Sequence, residues 1–334
     1  MAAIYPVTSP AWVLIYQSVD ITSDISAMVL SITYTDRTGA ASGDLEVTLE
    51  DSDKLWQGPW YPQEGDVVSL TIGYTGETQL PCGSFQVDEL ALAGPPDTFH
   101  IRCLATYITP AMRTITSAAY EGMTLTQIAS TIAAKYSLSM VSEPGQINPV
   151  FQRVTQRQET DLGFLRRLAL EHDYDFTIRG SQLVFYTRTA LEAVEPIVAL
   201  QRGDIMQFAF RDRSYQIFET AQIAYQQPSA KALITQSANA DISVPTTDSA
   251  KRVIRCENGQ QAQLKASSLL HGSNMVRRTA LLTCTGSPLL AAGITMTIEG
   301  FGVSDGTYLI EEARHRLSRD TGYTTEIEAR NLPA

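Results

Sequence analysis

The chain has 334 residues, 44% apolar and 18% charged, which exceeds one ordinary domain of about 100–200 residues and marks a folded, globular protein. Its formal charge of −11 opposes tight nucleic-acid binding, which depends on Lys and Arg neutralising phosphates. No apolar run reaches about 18 residues, and Met1-Ala2-Ala3-Ile4-Tyr5-Pro6 lacks a basic segment ahead of an apolar one, so neither membrane insertion nor a secretory signal is expected.

Short β-like runs separated by turn residues fill the first hundred positions: Trp12 to Tyr16, Met28 to Tyr34, Leu45 to Leu49 and Val67 to Tyr74. Strands at this spacing imply a barrel or sandwich. From about residue 105 the period changes. Leu125, Ile128, Ala129, Ile132, Ala133 and Tyr136 trace one face of a helix, with Thr124 and Gln127 spaced as a capping box. A second helix is predicted from Asp161 to about His172, with Thr160 as N-cap, Leu162, Leu165, Leu168 and Ala169 inward, and Arg166, Arg167 and Glu171 in water. Tyr174 to Ile178 and Leu183 to Tyr186 then flank Arg179-Gly180-Ser181-Gln182 as a hairpin.

After Pro196 strands are predicted at Ile205 to Phe210 and Phe218 to Tyr225. Residues 226–248, rich in Ser, Thr, Ala and Pro, read as a long loop or arm. A helix over 261–277, with Leu264, Ser268, Leu269 and Met275 at helical spacing, precedes strands that end with Thr325 to Arg330. Cys82, Cys103, Cys256 and Cys284 lie apart in apolar runs, without C-x-x-C pairs, and read as buried free thiols.

One pattern occurs twice. Leu70-Thr71-Ile72, Gly73-Tyr74 and Gly83-Ser84-Phe85-Gln86-Val87-Asp88-Glu89 recur as Met296-Thr297-Ile298, Gly300-Phe301 and Gly306-Thr307-Tyr308-Leu309-Ile310-Glu311-Glu312. The bland alternative is that antiparallel hairpins look alike; duplication better explains the order. Two copies of one β unit would let a cyclic oligomer display twice as many equivalent surfaces as it has chains.

The chain resembles the phage late control protein D family of tail hub proteins, related to the base of type VI secretion VgrG spikes. The resemblance lies in Asp20-Ile21-Thr22, Asp44-Leu45, Gly65-Asp66-Val67-Val68, Gly83 to Glu89, Gln158 to Ala169 and Gly306 to Ile310, with the helix and hairpin around Phe164 and Leu183 most specific. It implies a homotrimer whose six barrels form a ring between a hexameric tail tube protein and a trimeric spike, among other baseplate proteins. Assembly in the host cytoplasm and residence in the tail or baseplate follow from it. Because VgrG chains continue into a spike and this chain ends soon after its last predicted strand, a separate spike polypeptide is expected. The resemblance carries no catalytic residue.

Three motifs compete with a structural role. Gly302-Val303-Ser304-Asp305-Gly306 satisfies G-x-S-x-G with His315 nearby, but a strand rather than a helix follows, as a nucleophile elbow forbids. Gly122 to Ala129 with Ile147-Asn148-Pro149 resembles part of a LysM peptidoglycan-binding module, although a second helix is not evident. Glu50-Asp51-Ser52-Asp53 lacks calcium-loop spacing and reads as a solvated turn.

The expected protein is mainly β with an α+β insertion. A first β-barrel spans 1–104, the α+β domain 105–199, and a second β-barrel with a long loop and one helix 200–334. No catalytic, cofactor-binding or metal-binding residue is assigned, and the acidic excess would let DNA or acidic cargo pass a ring without adhering. A peptidoglycan-binding or lytic tail component is the alternative function.

Overall fold

The computed structural model describes residues 9–332 apart from 40–42, 106–110, 143–147, 228–230, 241–243 and 245. The N-terminal residues read above and Ile147 therefore lie outside the described residues. No described helix is long and apolar enough to cross a membrane.

The N-terminal part contains β1 (Pro10–Tyr16), β2 (Val19–Asp20), α1 (Thr22–Ile25), β3 (Val29–Arg37), β4 (Asp44–Glu50), β5 (Val67–Tyr74), β6 (Leu80–Ala93) and β7 (Thr98–Ala105). Strict alternation places Leu45, Val47 and Leu49 of β4 inward. They join Ile32, Ile72, Phe85, Phe99 and Cys103 in one apolar core.

The middle part contains β8 (Ile115–Thr124), α2 (Leu125–Lys135), β9 (Ser139–Ser142), β10 (Val150–Thr160), α3 (Asp161–Glu171), β11 (Tyr174–Arg179), β12 (Gln182–Thr187) and α4 (Arg188–Glu192). Both expected helix starts hold. Thr124 and Gln127 form the reciprocal capping box, and Thr160 accepts from the Gly163 N–H. The apolar faces of the two helices pack on Tyr174, Phe176, Leu183 and Phe185 in a separate core. Phe164 rather than Leu162 is fully buried there.

The remainder contains β13 (Val198–Gln201), β14 (Ile205–Asp212), β15 (Thr220–Gln227), β16 (Ala232–Asn239), β17 (Ser249–Val253), α5 (Gly259–Asn274), β18 (Arg278–Thr285), β19 (Thr295–Glu299), β20 (Gly306–Ser318) and β21 (Gly322–Leu332). The expected long arm is corrected within its described part, because β16 pairs antiparallel with β15 from Ala232 to Asn239. Its small and polar residues suffice because α5 packs across β15 and β16, supplying the apolar cover that the strand does not advertise. The face of α5 is corrected too. Ala262, Ala266 and Leu270 are buried, whereas Leu264, Leu269 and Met275 are half-buried. Small residues let this helix lie close to the sheet.

A 13-stranded sheet runs in the order β14-β18-β21-β20-β3-β4-β7-β6-β5-β1-β2, with β19 paired to β20 and β13 paired to β19. Its two ends repeat one connectivity. β3, β4, β5, β6 and β7 are matched in chain order by β14, β18, β19, β20 and β21, with β15 to β17 and α5 inserted after β14. The irregularities recur as well. A bulge separates Val87 from Glu89 in β6 and Ile310 from Glu312 in β20, and another separates Val29 from Ser31 in β3 and Ile205 from Gln207 in β14. Gly65 and Gly293, at φ +88 and +87, place their N–H groups on the carbonyls of Val87 and Ile310.

The second half of the repeat read from sequence holds, Gly83 matching Gly306 and Phe85 matching Tyr308. The first half is two residues out of register: Phe85 opposes Val68 where Tyr308 opposes Met296, so Met296 matches Val68 and not Leu70. A slip of two residues keeps every side chain on its face, so alternation cannot reveal it.

Candidate assembly interface

The motifs that suggested chemistry are taken up by the fold. Ser304 ends a short 3₁₀ turn, Gly302–Ser304, and its carbonyl accepts the Tyr308 hydroxyl. His315 lies nine residues into β20 from Gly306, about 30 Å along an extended strand. It is fully buried, bonded through Nδ1 to the Tyr323 hydroxyl at 2.8 Å and stacked on Tyr34. Burial pushes its pKa down to about 4, a neutral core histidine. Ser304 and His315 are therefore not brought together as a triad would require. In the LysM-like segment the apolar face of α2 is consumed by the core, Asn148 is hydrogen-bonded to Thr126, and β9 occupies Ser139–Ser142.

Asp51 departs from the expected solvated turn: it is buried and accepts the Trp56 N–H and the Gln57 amide. Among the described residues no His, Cys, Asp and Glu cluster is arranged to hold a metal. All four cysteines are buried and free, as expected, and burial raises each thiol pKa, that of Cys103 to about 12 and that of Cys284 to about 11.

Two buried polar clusters fix the middle part. Asp161, at the first turn of α3, accepts from Lys135 Nζ at 2.5 Å, Tyr136 Oη at 2.7 Å, Gln156 Nε2 at 2.7 Å and Thr116 Oγ1 at 3.0 Å. Burial opposes its ionisation, but these donors outweigh burial and hold the carboxyl at about 2. Farther on, His271 of α5 bridges Asp173 at 2.7 Å and Glu192 at 3.0 Å. Arg188 joins Asp173, and Arg330 of β21 joins Glu192 and Glu311. Burial disfavours the imidazolium, but the two carboxylates overcome it and raise His271 to about 9. This network ties the middle part to α5 and to β20 and β21 along a cleft of about 1920 Å³. The neighbouring Lys265 to Glu171 pair, at 2.7 Å, joins α5 to α3.

What remains unoccupied is backbone edge. Among the described residues β14 pairs only with β18, and its other edge is open. Most of β14 is exposed, including Met206 at 63% and Phe208 at 46%. Phe208, Phe210 and Phe301 cluster there, with Arg202 over the Phe208 and Phe301 rings. The outer end of β6 pairs with β7 on one side, and, among the described residues, 88–93 have no strand partner on the other. Leu92 on this end is half exposed. The sequence shows β14 as a strand, yet alternation does not distinguish an edge from a central strand. Hence these residues escaped notice.

Open edges with apolar side chains are templates for pairing with another chain, so fold and surface define an assembly component. Residues 106–321 match the phage tail baseplate hub (GPD) family, and the chain belongs to that family. The probable baseplate hub protein of Escherichia phage 186 is 32% identical over 212 residues, covering 61% of this chain and 54% of that protein. The chain thus spans about half the length of this relative.

The 43 kDa tail protein of prophage MuSo2 from Shewanella oneidensis is similar in structure with a TM-score of 0.71 at 18% identity, covering 97% of this chain and 98% of that one. The E. coli c3393 protein, described as a component of the type VI secretion system, gives a TM-score of 0.54 at 14% identity, covering 92% and 74%. These two likenesses are likenesses of fold.

Proposed function

We propose that this chain is a structural hub of a contractile tail or related injection machine. Three copies close a ring that joins a hexameric tail tube to a trimeric spike. The observation that carries the reading is the repeated strand connectivity within one sheet, down to matching bulges. Three chains with two such units each present six related surfaces toward the tube while remaining threefold toward the spike. In this reading residues 1–104 and 200–334 supply the two barrels, 105–199 stand outside them, and the chain acts through interfaces rather than catalysis. Family membership and the phage 186 relative support the baseplate location.

The test is co-purification of the full chain with its tube and spike proteins, followed by mass measurement of the complex. Three hub chains per spike trimer are expected; a hub that joins neither partner, or does so in another ratio, contradicts the proposal.

A further inference from the structure

We infer that the two insertions of this chain, β8–α4 and β15–α5, form one body that rocks on the two-barrel platform. The motion widens and narrows the cleft between them, and Glu192 with Arg330 is its main clasp. It belongs to the single chain and does not depend on the ring.

The two repeated units are one piece, because a single 13-stranded sheet runs through both. The two insertions are tied to each other as well. Lys265 meets Glu171 at 2.7 Å. Ser268 Oγ donates to the Leu170 carbonyl at 2.5 Å and accepts the Asp173 N–H at 2.9 Å. His271 holds Asp173 and Glu192, and the Glu257 carboxylate accepts the N–H groups of Gln152 and Arg153 at 2.9 and 3.0 Å. These contacts join α5 and the segment ahead of it to β10, α3 and α4.

Between insertions and platform the contacts are of another kind. Among the described residues none of the four apolar cores draws on both, and no helix or strand of an insertion packs along a platform strand. Polar contacts cross instead: Glu192 to Arg330 at 2.7 Å, Arg179 to Asp36 at 3.5 Å and Arg179 to the Ala292 carbonyl at 3.2 Å. The cleft of about 1920 Å³ lies between the two bodies, with His172, Ser237 and Leu264 from one and Gly306, Thr307 and Arg330 from the other. Small polar interfaces of this kind permit relative motion of the parts they join. Parting the bodies exposes little apolar surface, so the clasps set the cost of opening.

The main clasp opens without stranding a buried charge. Arg330 also holds Glu311 at 2.9 Å, and Glu192 also holds His271 at 3.0 Å. Once parted, each keeps an opposite charge, which avoids the usual penalty for breaking a buried ion pair. Arg179, with its side chain 55% exposed, passes into water, while Asp36 keeps the Ala292 N–H at 3.0 Å. Closed and open arrangements therefore both satisfy these charges, as a hinge requires. Four connections carry the hinge, those that follow β7, α4, β14 and α5.

Distances between paired spin labels, measured by double electron–electron resonance, test this in the full chain. Ser237→Cys in β16 with Val303→Cys on the platform spans the cleft, and Ser237→Cys with Ala119→Cys in β8 spans the insertions alone. All three positions are exposed, and the native cysteines are buried and escape labelling. Glu192→Gln removes the charge that meets Arg330 and leaves Arg330 with Glu311 and His271 with Asp173. It should raise the ratio of long to short distances across the cleft about tenfold and leave the distance within the insertions unchanged. Arg179→Ala should act in the same direction and by less, because that pair is more exposed. Salt at about 1 M, where the Debye length is about 3 Å, should also favour the long distance.

A single, unchanged distance across the cleft in both variants and in salt overturns the rocking motion. A distance within the insertions that broadens together with the one across the cleft overturns it too, because the insertions then do not move as one body. Should circular dichroism show that Glu192→Gln does not fold, Arg179→Ala and the salt series decide by the same two criteria.

Discussion

Replacing Asp161 by Asn keeps the side chain's shape and removes its charge, the one element that Lys135, Tyr136, Gln156 and Thr116 converge on. The folded carboxyl titrates at about 2 against an ordinary 3.8. A depressed folded pKa stabilises the protein fully above the unfolded value, and the contribution is lost as pH falls through the folded value. At about 1.4 kcal/mol per pKa unit, ionisation of Asp161 contributes about 2.5 kcal/mol at pH 7 and about half of that at pH 3. Amide hydrogen exchange of peptides within residues 125–171 reads this locally in the intact chain. Asp161→Asn should accelerate exchange about 60-fold at pH 7 and about tenfold at pH 3, each relative to the unsubstituted chain at the same pH. Equal acceleration at both pH values, or none at pH 7, refutes the view that the charge of Asp161 organises this cluster.

His271 has the opposite sign. Its folded pKa is raised to about 9, so its contribution of about 2.5 kcal/mol is present near neutrality and should be lost by about pH 9.5. Thermal unfolding should show that loss, and His271→Gln should be less stable at pH 7 and flat across the same range. Gly65→Ala and Gly293→Ala, at matching positive φ, should each destabilise the chain by about 1–2 kcal/mol in denaturant titrations, by similar amounts if the repeat is structural. Ser304→Ala should leave stability within about 0.5 kcal/mol and assembly unchanged, because the hydrogen bonds it makes run through its backbone N–H and carbonyl, which alanine keeps.

Helix starts and most strands were legible because their signals are local. Thr124 with Gln127 and Thr160 ahead of Asp161 name their own caps, and β5 and β11 carry plain alternation. β8 and β10 went unread. They form a two-stranded ribbon with many exposed positions, so apolar periodicity is faint there. Burial of Asp161 was hidden for a different reason: an acid in the first turn of a helix is ordinary, and the donors that enclose it come from three other elements and the cap of α2. The repeat was visible as type and order, whereas its register required the hydrogen-bond ladder. The open edges are a property of strand order, which no local pattern encodes.

The ring claim is tested most directly by an electron-microscopy reconstruction of the hub bound to its tube and spike. Three chains should encircle the axis, with six related units facing the tube. A reconstruction with a different number of chains, or with the repeated units pointing away from the tube, would contradict it.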